Sequence, residues 1–470
     1  MVQNRVESLW RWSPDARFLR NDHGGVAVNF ASAVTLPVDR DHADAVASIS
    51  GITTPFELPA ALDSGLCDAL HTAGFLIEEQ RAAPTERLVL ERIAAALQRS
   101  HGFIVMPTEQ CNFRCTYCYE SFAKGRMADA NVAALEKAID DAASVAPQFG
   151  LAFFGGEPLL CADIVLRLSQ RALQAVAGRG LPYAASISTN GSLLRPALFT
   201  SLLDAGVVGY QITIDGSAQV HDSQRKTAGG LPTFRRIVEN LRAMAQSDEK
   251  FHCVLRCNVR DTDRDSILTL VDDADALGFI RDDARFLVDI HQIWSSDRQT
   301  VSGGHALPGC ASSLTREVDF FVLNRLLAEQ GVRTTTYDRL PGIMGSACYA
   351  GKPNWFVVGS DLSLYKCTVV FDNERNQVGR IDPDGALVID DGKNLLWTGS
   401  NALTDQGCTG CQYRVPCGGI ACPLSRFTTG VKGCPDMRGP QYLKAWARSH
   451  PASPSHDAPR RLQLPVVAVQ

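Results

Sequence analysis

Through the middle third of the chain, short apolar runs alternate with stretches whose apolar residues recur every three or four positions. The runs read as strands at Phe103 to Met106, Leu151 to Phe154, Ala184 to Ser188, Tyr210 to Ile214, Cys253 to Val259 and Arg285 to Ile290. The periodic stretches read as helices at Asn131 to Val145, Ile164 to Val176, Ala197 to Ala205, Phe234 to Ala245 and Ser266 to Leu277. Six strands alternating with helices predict an α/β fold around a parallel sheet, either curved into a partial barrel or left open. In both forms chemistry belongs at the C-terminal ends of the strands.

The flanks carry a different pattern. Near the start, Val26 to Phe30 reads as a strand and His42 to Ser48 as a short helix. Asp63 to Ala73 reads as a helix with Leu66, Ala69, Leu70 and Ala73 on one face, stopped by Gly74 before a strand at Phe75 to Ile77. These elements suggest a module over 1–95, followed by the barrel over 96–295 and a linker over 296–345 with a helix around Leu314 to Glu329. A cysteine-rich domain over 346–446 and a proline-containing, disordered tail over 447–470 complete the expected order.

Composition narrows the function. A net charge of −5 without a long basic run gives no reason to expect nucleic acid or an anionic membrane as partner. The stretch Met1 to Phe18 holds no apolar run long enough for a signal peptide or a membrane span, so the expected location is the cytoplasm. Disulfides do not persist there, and the 15 cysteines are better read as thiolates for metal. Cys67, Cys161, Cys253 and Cys257 are scattered and read as small buried apolar residues.

Cys111, Cys115 and Cys118 follow the first strand on one loop. Three thiolates leave one iron of a four-iron cluster free to bind something else. After the second strand comes Gly155-Gly156-Glu157-Pro158, where two residues without side chains allow close approach to the backbone and a carboxylate can accept hydrogen bonds from a cation. Ser188-Thr189-Asn190-Gly191 ends the third strand with groups suited to ribose hydroxyls or a carboxylate. Asp215-Gly216 ends the fourth, with His221, Asp222 and Arg225 shortly after. Each alone is a common turn; together they occupy successive strand ends.

This combination, with the aromatic Tyr117 before the last cysteine, resembles the radical SAM superfamily over about Phe103 to His291. The resemblance implies a partial (β/α)6 barrel with S-adenosylmethionine chelated to the open iron of a [4Fe-4S] cluster and cleaved to a 5'-deoxyadenosyl radical. By position it implies Cys111, Cys115 and Cys118 as cluster ligands. It implies Tyr117, Gly155, Gly156, Glu157, Ser188, Asn190 and Arg225 as cofactor contacts, with the methionyl amine at the Gly-Gly-Glu step and ribose or carboxylate at the last three.

Seven further cysteines, Cys348, Cys367, Cys408, Cys411, Cys417, Cys422 and Cys434, are interleaved with glycines. Structural zinc at Cys408, Cys411, Cys417 and Cys422 is one reading, but it leaves three thiols unexplained; two cubanes use them all. The segment resembles the SPASM domain. That resemblance implies one auxiliary cluster on Cys408, Cys411, Cys417 and Cys434, a second on Cys348, Cys367 and Cys422, and three [4Fe-4S] clusters in all. The second cluster's fourth ligand would be Cys310, a substrate thiolate, or nothing. Two departures stand out: four residues separate Cys417 from Cys422 where the family usually has three, and Leu362 stands where a glycine is common.

SPASM-bearing radical SAM enzymes mostly modify ribosomally made peptides or proteins, and the N-terminal module resembles the winged-helix modules that bind a leader peptide. The expected partners are therefore a precursor peptide, probed through an exposed strand edge, and an electron donor such as flavodoxin or ferredoxin. Sulfatase maturases carry an Asp base directly after the second SPASM cysteine, where this chain has Thr368. A hydroxyl is a poor base, which favours thioether or carbon–carbon crosslink formation over formylglycine formation, with Asp361 or Asp372 as the remaining candidate bases. A catalytically silent peptide-binding metalloprotein is the reading from another class.

Overall fold

Runs such as Phe103 to Val105 and Ile212 are buried on both faces, as strands covered by helices on one side and by other structure on the other must be. In the computed structural model, which describes residues 9–32, 34–181, 183–259, 264–272, 276–292, 323–324, 326–335, 347–399, 405–409, 411, 413–420, 422–429, 434 and 460–461, they form the centre of one large sheet.

The chain opens with β1 (Trp10–Trp12), β2 (Ala16–Asn21), β3 (Gly24–Asn29), β4 (Val34–Val38), α1 (Arg40–Ile49), α2 (Ser64–Thr72), β5 (Leu76–Glu78) and the long α3 (Glu79–Arg99). Asp39 and Asp63 cap α1 and α2, each accepting a backbone N–H from the first turn. Strands β2 and β4 have no counterpart in the sequence reading: two arginines interrupt the apolar run of β2, and β4 is a short strand whose Pro37 reads as a break.

The sheet core follows: β6 (Ser100–Val105), β7 (Phe113–Cys115), α4 (Asp129–Val145), β8 (Gln148–Phe153), α5 (Ala162–Ala177), β9 (Ala185–Thr189), α6 (Pro196–Asp204), β10 (Val207–Thr213), α7 (Ala218–Gln224), β11 (Arg225–Thr227), α8 (Phe234–Ala245), β12 (His252–Val259), α9 (Arg264–Asp272) and β13 (Phe286–Gln292). All six expected strands are present, parallel and neighbouring in chain order β6-β8-β9-β10-β12-β13, with the expected helices between them. Alternate side chains divide the layers. Phe103, Val105, Leu151, Phe153 and Ile187 join the helix-side core, while Ile104, Met106 and Ala152 pack on the other face against Trp355, Val357 and Tyr365.

The cysteine-rich part joins this same sheet, which the sequence reading did not anticipate. β14 (Asn354–Val358) runs parallel to β6, and β15 (Ser363–Tyr365), β16 (Gln377–Ile381) and β17 (Leu387–Ile389) continue antiparallel to give ten strands. Trp355 Nε1 donates to Ser100 Oγ at 2.7 Å across the join. Leu362, in the turn between β14 and β15, holds φ +66, so the backbone keeps the left-handed conformation of the missing glycine while its side chain is buried.

In the expected linker, Val332 and Leu327 join the core, and Thr334 bridges to Val288 on the outer edge of the sheet. Most of the helix expected at 314–329, and Cys310, lie outside the described residues. The tail expected to be disordered is a strand at Arg460–Arg461 (β18), paired antiparallel with β4; the rest of it is likewise outside. Among the described residues no helix is long and apolar enough to cross a membrane.

Candidate functional site

The three-cysteine loop leaves the C-terminal end of β6 and is held by its own backbone before any metal is considered. Cys115 lies on β7 opposite Arg225 of β11, while Thr116 N donates to Gln224 O at 2.9 Å and Ala228 N to Asn112 O at 2.8 Å. Nothing in the alternation of apolar residues marks this small antiparallel pair, and the sequence reading missed it. On the other side Gly156 N donates to Thr108 O at 3.3 Å and Glu157 N to Gln110 O at 2.9 Å.

Those bonds give the glycines their purpose. Gly155 holds φ +120, and a Cβ there would lie 2.5 Å from Thr108 O; a Cβ on Gly156 would lie 2.3 Å from both Gln110 O and Glu109 O. The close approach the pair permits is that of the cysteine loop to the end of β8. Glu157 is turned inward and fully buried: its carboxylate accepts from Thr189 Oγ1 at 2.7 Å, Asn190 N at 2.7 Å and Leu159 N at 3.0 Å. The expectation of a carboxylate standing open to a cation is therefore corrected. Its side chain ties the ends of β8 and β9 together, and burial lifts its pKa against the pull of these donors.

Asn190 and Tyr117 fix the rest of the rim. Asn190 Nδ2 donates to Asn112 Oδ1 at 2.8 Å, its Oδ1 accepts from Ser192 Oγ at 2.7 Å, and Asn112 Nδ2 donates to Ser192 Oγ at 3.0 Å. The Tyr117 hydroxyl donates to Asp215 Oδ2 and accepts from Arg225 Nη1 at 2.7 Å and Asn258 Nδ2 at 3.1 Å. His221 Nδ1 accepts the Asp215 N–H at 3.2 Å, and its Nε2 lies 3.1 Å from Thr233 Oγ1, which itself donates to Arg225 O. That pattern sets the neutral Nε2–H tautomer, and burial drives the imidazole pKa well below its ordinary value, helped by Arg225.

The donor set fits an anionic iron–sulfur group. Arg225 is buried, and its Nε finds no partner among the described residues, leaving one aimed donor beside Cys115 and Asp215. Phe113 N donates to Cys111 Sγ at 3.3 Å, and burial pushes the Cys111 thiol up to about 11. Among the described residues no three His, Cys, Asp or Glu side chains converge on one point as a single ion requires. A four-iron cluster would take each thiolate on a separate corner.

On the inner face of the strands lies a small cleft lined by Ile104, Phe154, Ser186, Ser188, Gln211 and Thr368 among others. Ser188 Oγ stands 3.5 Å from Gln211 Nε2, on the cleft floor rather than beside the cysteine loop. Thr368, directly after Cys367, reaches the same cleft, with its N–H donating to Tyr349 OH at 2.9 Å. Neither alternative base is there. Asp361 pairs with Lys124 at 2.9 Å, which outweighs partial burial and holds its carboxyl below the usual range, and Asp372 is exposed.

Cys348, Cys367 and Cys422 act electrostatically on one another, and burial lifts the first two thiols to about 11 and about 12. Beside them, fully buried Lys366 donates from Nζ to Lys352 O at 2.7 Å and Trp355 O at 2.8 Å, burial pushing its pKa down to about 7. A lysine before a cysteine reads as surface in the sequence, so only the fold reveals this cation. Cys408, Cys411, Cys417 and Cys434 are each half-buried. Nearby, Arg414 pairs with Asp15 through two bonds at 2.9 and 3.1 Å, joining the N-terminal module to this segment.

Residues 105–273 match the family model of the Radical SAM superfamily. The chain is 30% identical over 146 residues to the AdoMet-dependent heme synthase of Methanosarcina barkeri, covering 31% of this chain and 39% of that protein. It is 28% identical over 131 residues to an uncharacterized protein of Methanocaldococcus jannaschii, covering 28% and 43%. The matches thus span less than half of either relative. Among solved structures, native anSMEcpe with bound AdoMet and Cp18Cys peptide is similar in fold, with a TM-score of 0.51 at 19% identity over 74% of this chain and 95% of that one.

Proposed function

Residues 105–273 being a radical SAM domain, we propose that this chain is a peptide-modifying maturase that forms a thioether or carbon–carbon crosslink in a ribosomally made substrate. The observation that carries the reading is Thr368 in the cleft, where a hydroxyl rather than a carboxylate follows the second cysteine of the C-terminal segment and faces Ser188 and Gln211. When bound, the cluster and S-adenosylmethionine supply a 5'-deoxyadenosyl radical that takes a hydrogen atom from the substrate. Cys111, Cys115 and Cys118 would hold that cluster, with Arg225 Nε offering its spare donor to an anionic group. Cys408, Cys411, Cys417 and Cys434, and Cys348, Cys367 and Cys422, would hold two auxiliary clusters, the latter with Lys366 as a buried countercharge. The N-terminal module would receive the peptide along a strand edge, and anSMEcpe, similar in fold and solved with a bound peptide, supports a peptide as the substrate. An electron donor of the flavodoxin or ferredoxin kind would reduce the enzyme.

The test is anaerobic reconstitution followed by incubation with S-adenosylmethionine, a reductant and the peptides encoded beside the gene. Production of 5'-deoxyadenosine with a substrate that loses a hydrogen pair and gains resistance to fragmentation between the joined residues supports crosslinking. A product reactive with hydrazides would instead reveal an aldehyde and restore the formylglycine reading. Absence of 5'-deoxyadenosine from fully reconstituted protein would overturn radical chemistry altogether.

A further inference from the structure

The small N-terminal sheet has the order β18-β4-β3-β2, so its outermost strand on one side is not part of the module. Arg460 stands opposite Thr35 and Arg461 opposite Val34, a segment more than 400 positions away in sequence lying as an added antiparallel strand. The register between β3 and β4 explains why it sits there. Pro37 is opposite Val26 and has no N–H, so that pair is not hydrogen-bonded; pairs alternate, and Thr35 opposite Val28 is therefore of the same kind. The N–H and C=O of Thr35 then face away from β3, toward the open side, as β18 requires. Two residues on, Pro37 has no N–H to offer on that side.

The opposite edge is less inviting. On β2, Phe18 N is already taken by Ser50 Oγ at 3.2 Å. β4 also has the alternation of a docking strand: Val34, Leu36 and Val38 are buried beneath it, while Thr35 and Pro37 are half-buried. An extended backbone is the chemistry this edge recognises, and backbone bonds at the border with water can be exchanged for those of another strand.

We propose that the segment around Arg460–Arg461 occupies the open edge of β4 in cis, so that any extended peptide pairing with this edge must first displace that segment. The proposal rests on the reading of the chain as a peptide-modifying enzyme, and its test does not use catalysis. A chain ending at residue 448 is compared with the full chain by amide hydrogen exchange, and both are titrated with a fluorescein-labelled synthetic peptide of residues 455–468. Tethering gives the cis segment a local concentration of about millimolar, so removing it should tighten apparent peptide binding roughly tenfold or more. The amide of Thr35 should lose protection in the shortened chain and regain it when the peptide is added. In the shortened chain Thr35→Pro removes the outward N–H while sparing the bonds to β3, and peptide binding should be lost with the exchange of β3 unchanged. Equal peptide affinity in both chains, unchanged Thr35 protection on shortening, or full binding by a folded Thr35→Pro chain would each overturn the proposal. Formation of 5'-deoxyadenosine by the same preparations reports on the radical reading separately.

Discussion

Arg414 and Asp15 offer the sharpest test of how the modules are joined. Both side chains are 4% exposed, and the guanidinium meets the carboxylate through Nε–Oδ1 and Nη2–Oδ2 bonds. Such a pair adds little over a well-packed apolar one, yet breaking it strands a charge out of water, so each single change should cost about 3–5 kcal/mol. Arg414→Met leaves Asp15 buried alone. Burial already lifts that carboxyl above its ordinary value against the pull of Arg414, so it takes up a proton, which places the loss toward the lower end of that range. Asp15→Leu leaves a guanidinium that cannot neutralise itself by losing a proton. The double variant removes both charges and should cost far less than the sum. The assay is amide exchange at Phe30, whose N–H donates to Asp15 O at 2.8 Å and whose ring lies 4.8 Å from that of Tyr413. Its protection should fall by about a hundredfold or more in each single variant, since 1.4 kcal/mol is about tenfold. Singles that cost under about 1 kcal/mol, or a double equal to their sum, would refute the argument that the pair is a desolvated unit.

Gly156→Ala places a Cβ 2.3 Å from two backbone oxygens of the cysteine loop, neither of which can rotate away, and should lower reconstituted iron by about four per chain; unchanged iron and sulfide would remove the packing role given to that glycine. His221 is kept neutral in the fold, so the unfolded chain binds the extra proton. Stability from this group is complete above about pH 6.5 and lost at about 1.4 kcal/mol per unit as pH falls below it, and the urea midpoint of His221→Gln should show a correspondingly shallower acid slope. Leu362→Gly relieves a left-handed leucine, worth about 1–2 kcal/mol, but removes a buried side chain worth about 3–5 kcal/mol, so denaturant midpoints should fall rather than rise.

What the chain declares by itself is what depends on neighbours in sequence. Strand and helix periods gave the six parallel strands, because burial on both faces writes a continuous apolar run and a helix writes a stripe. The Cys111, Cys115, Cys118 loop and the strand-end glycines were legible for the same reason: each is a short string whose spacing carries the chemistry. Leu362 was visible as an oddity, and its left-handed backbone is what the structure made of it. The tertiary structure decided everything that joins distant segments. It turned Glu157 inward onto Thr189 and Asn190, paired Cys115 with Arg225, added β14 to the barrel sheet, brought Thr368 to Ser188 and Gln211, and buried Lys366 beside Cys348 and Cys367. It also set Arg414 on Asp15 and Arg460 on Thr35. No local pattern encodes such contacts, since a buried lysine and an exposed one are the same letter. Only desolvation and the pairing of polar groups in the finished fold distinguish them.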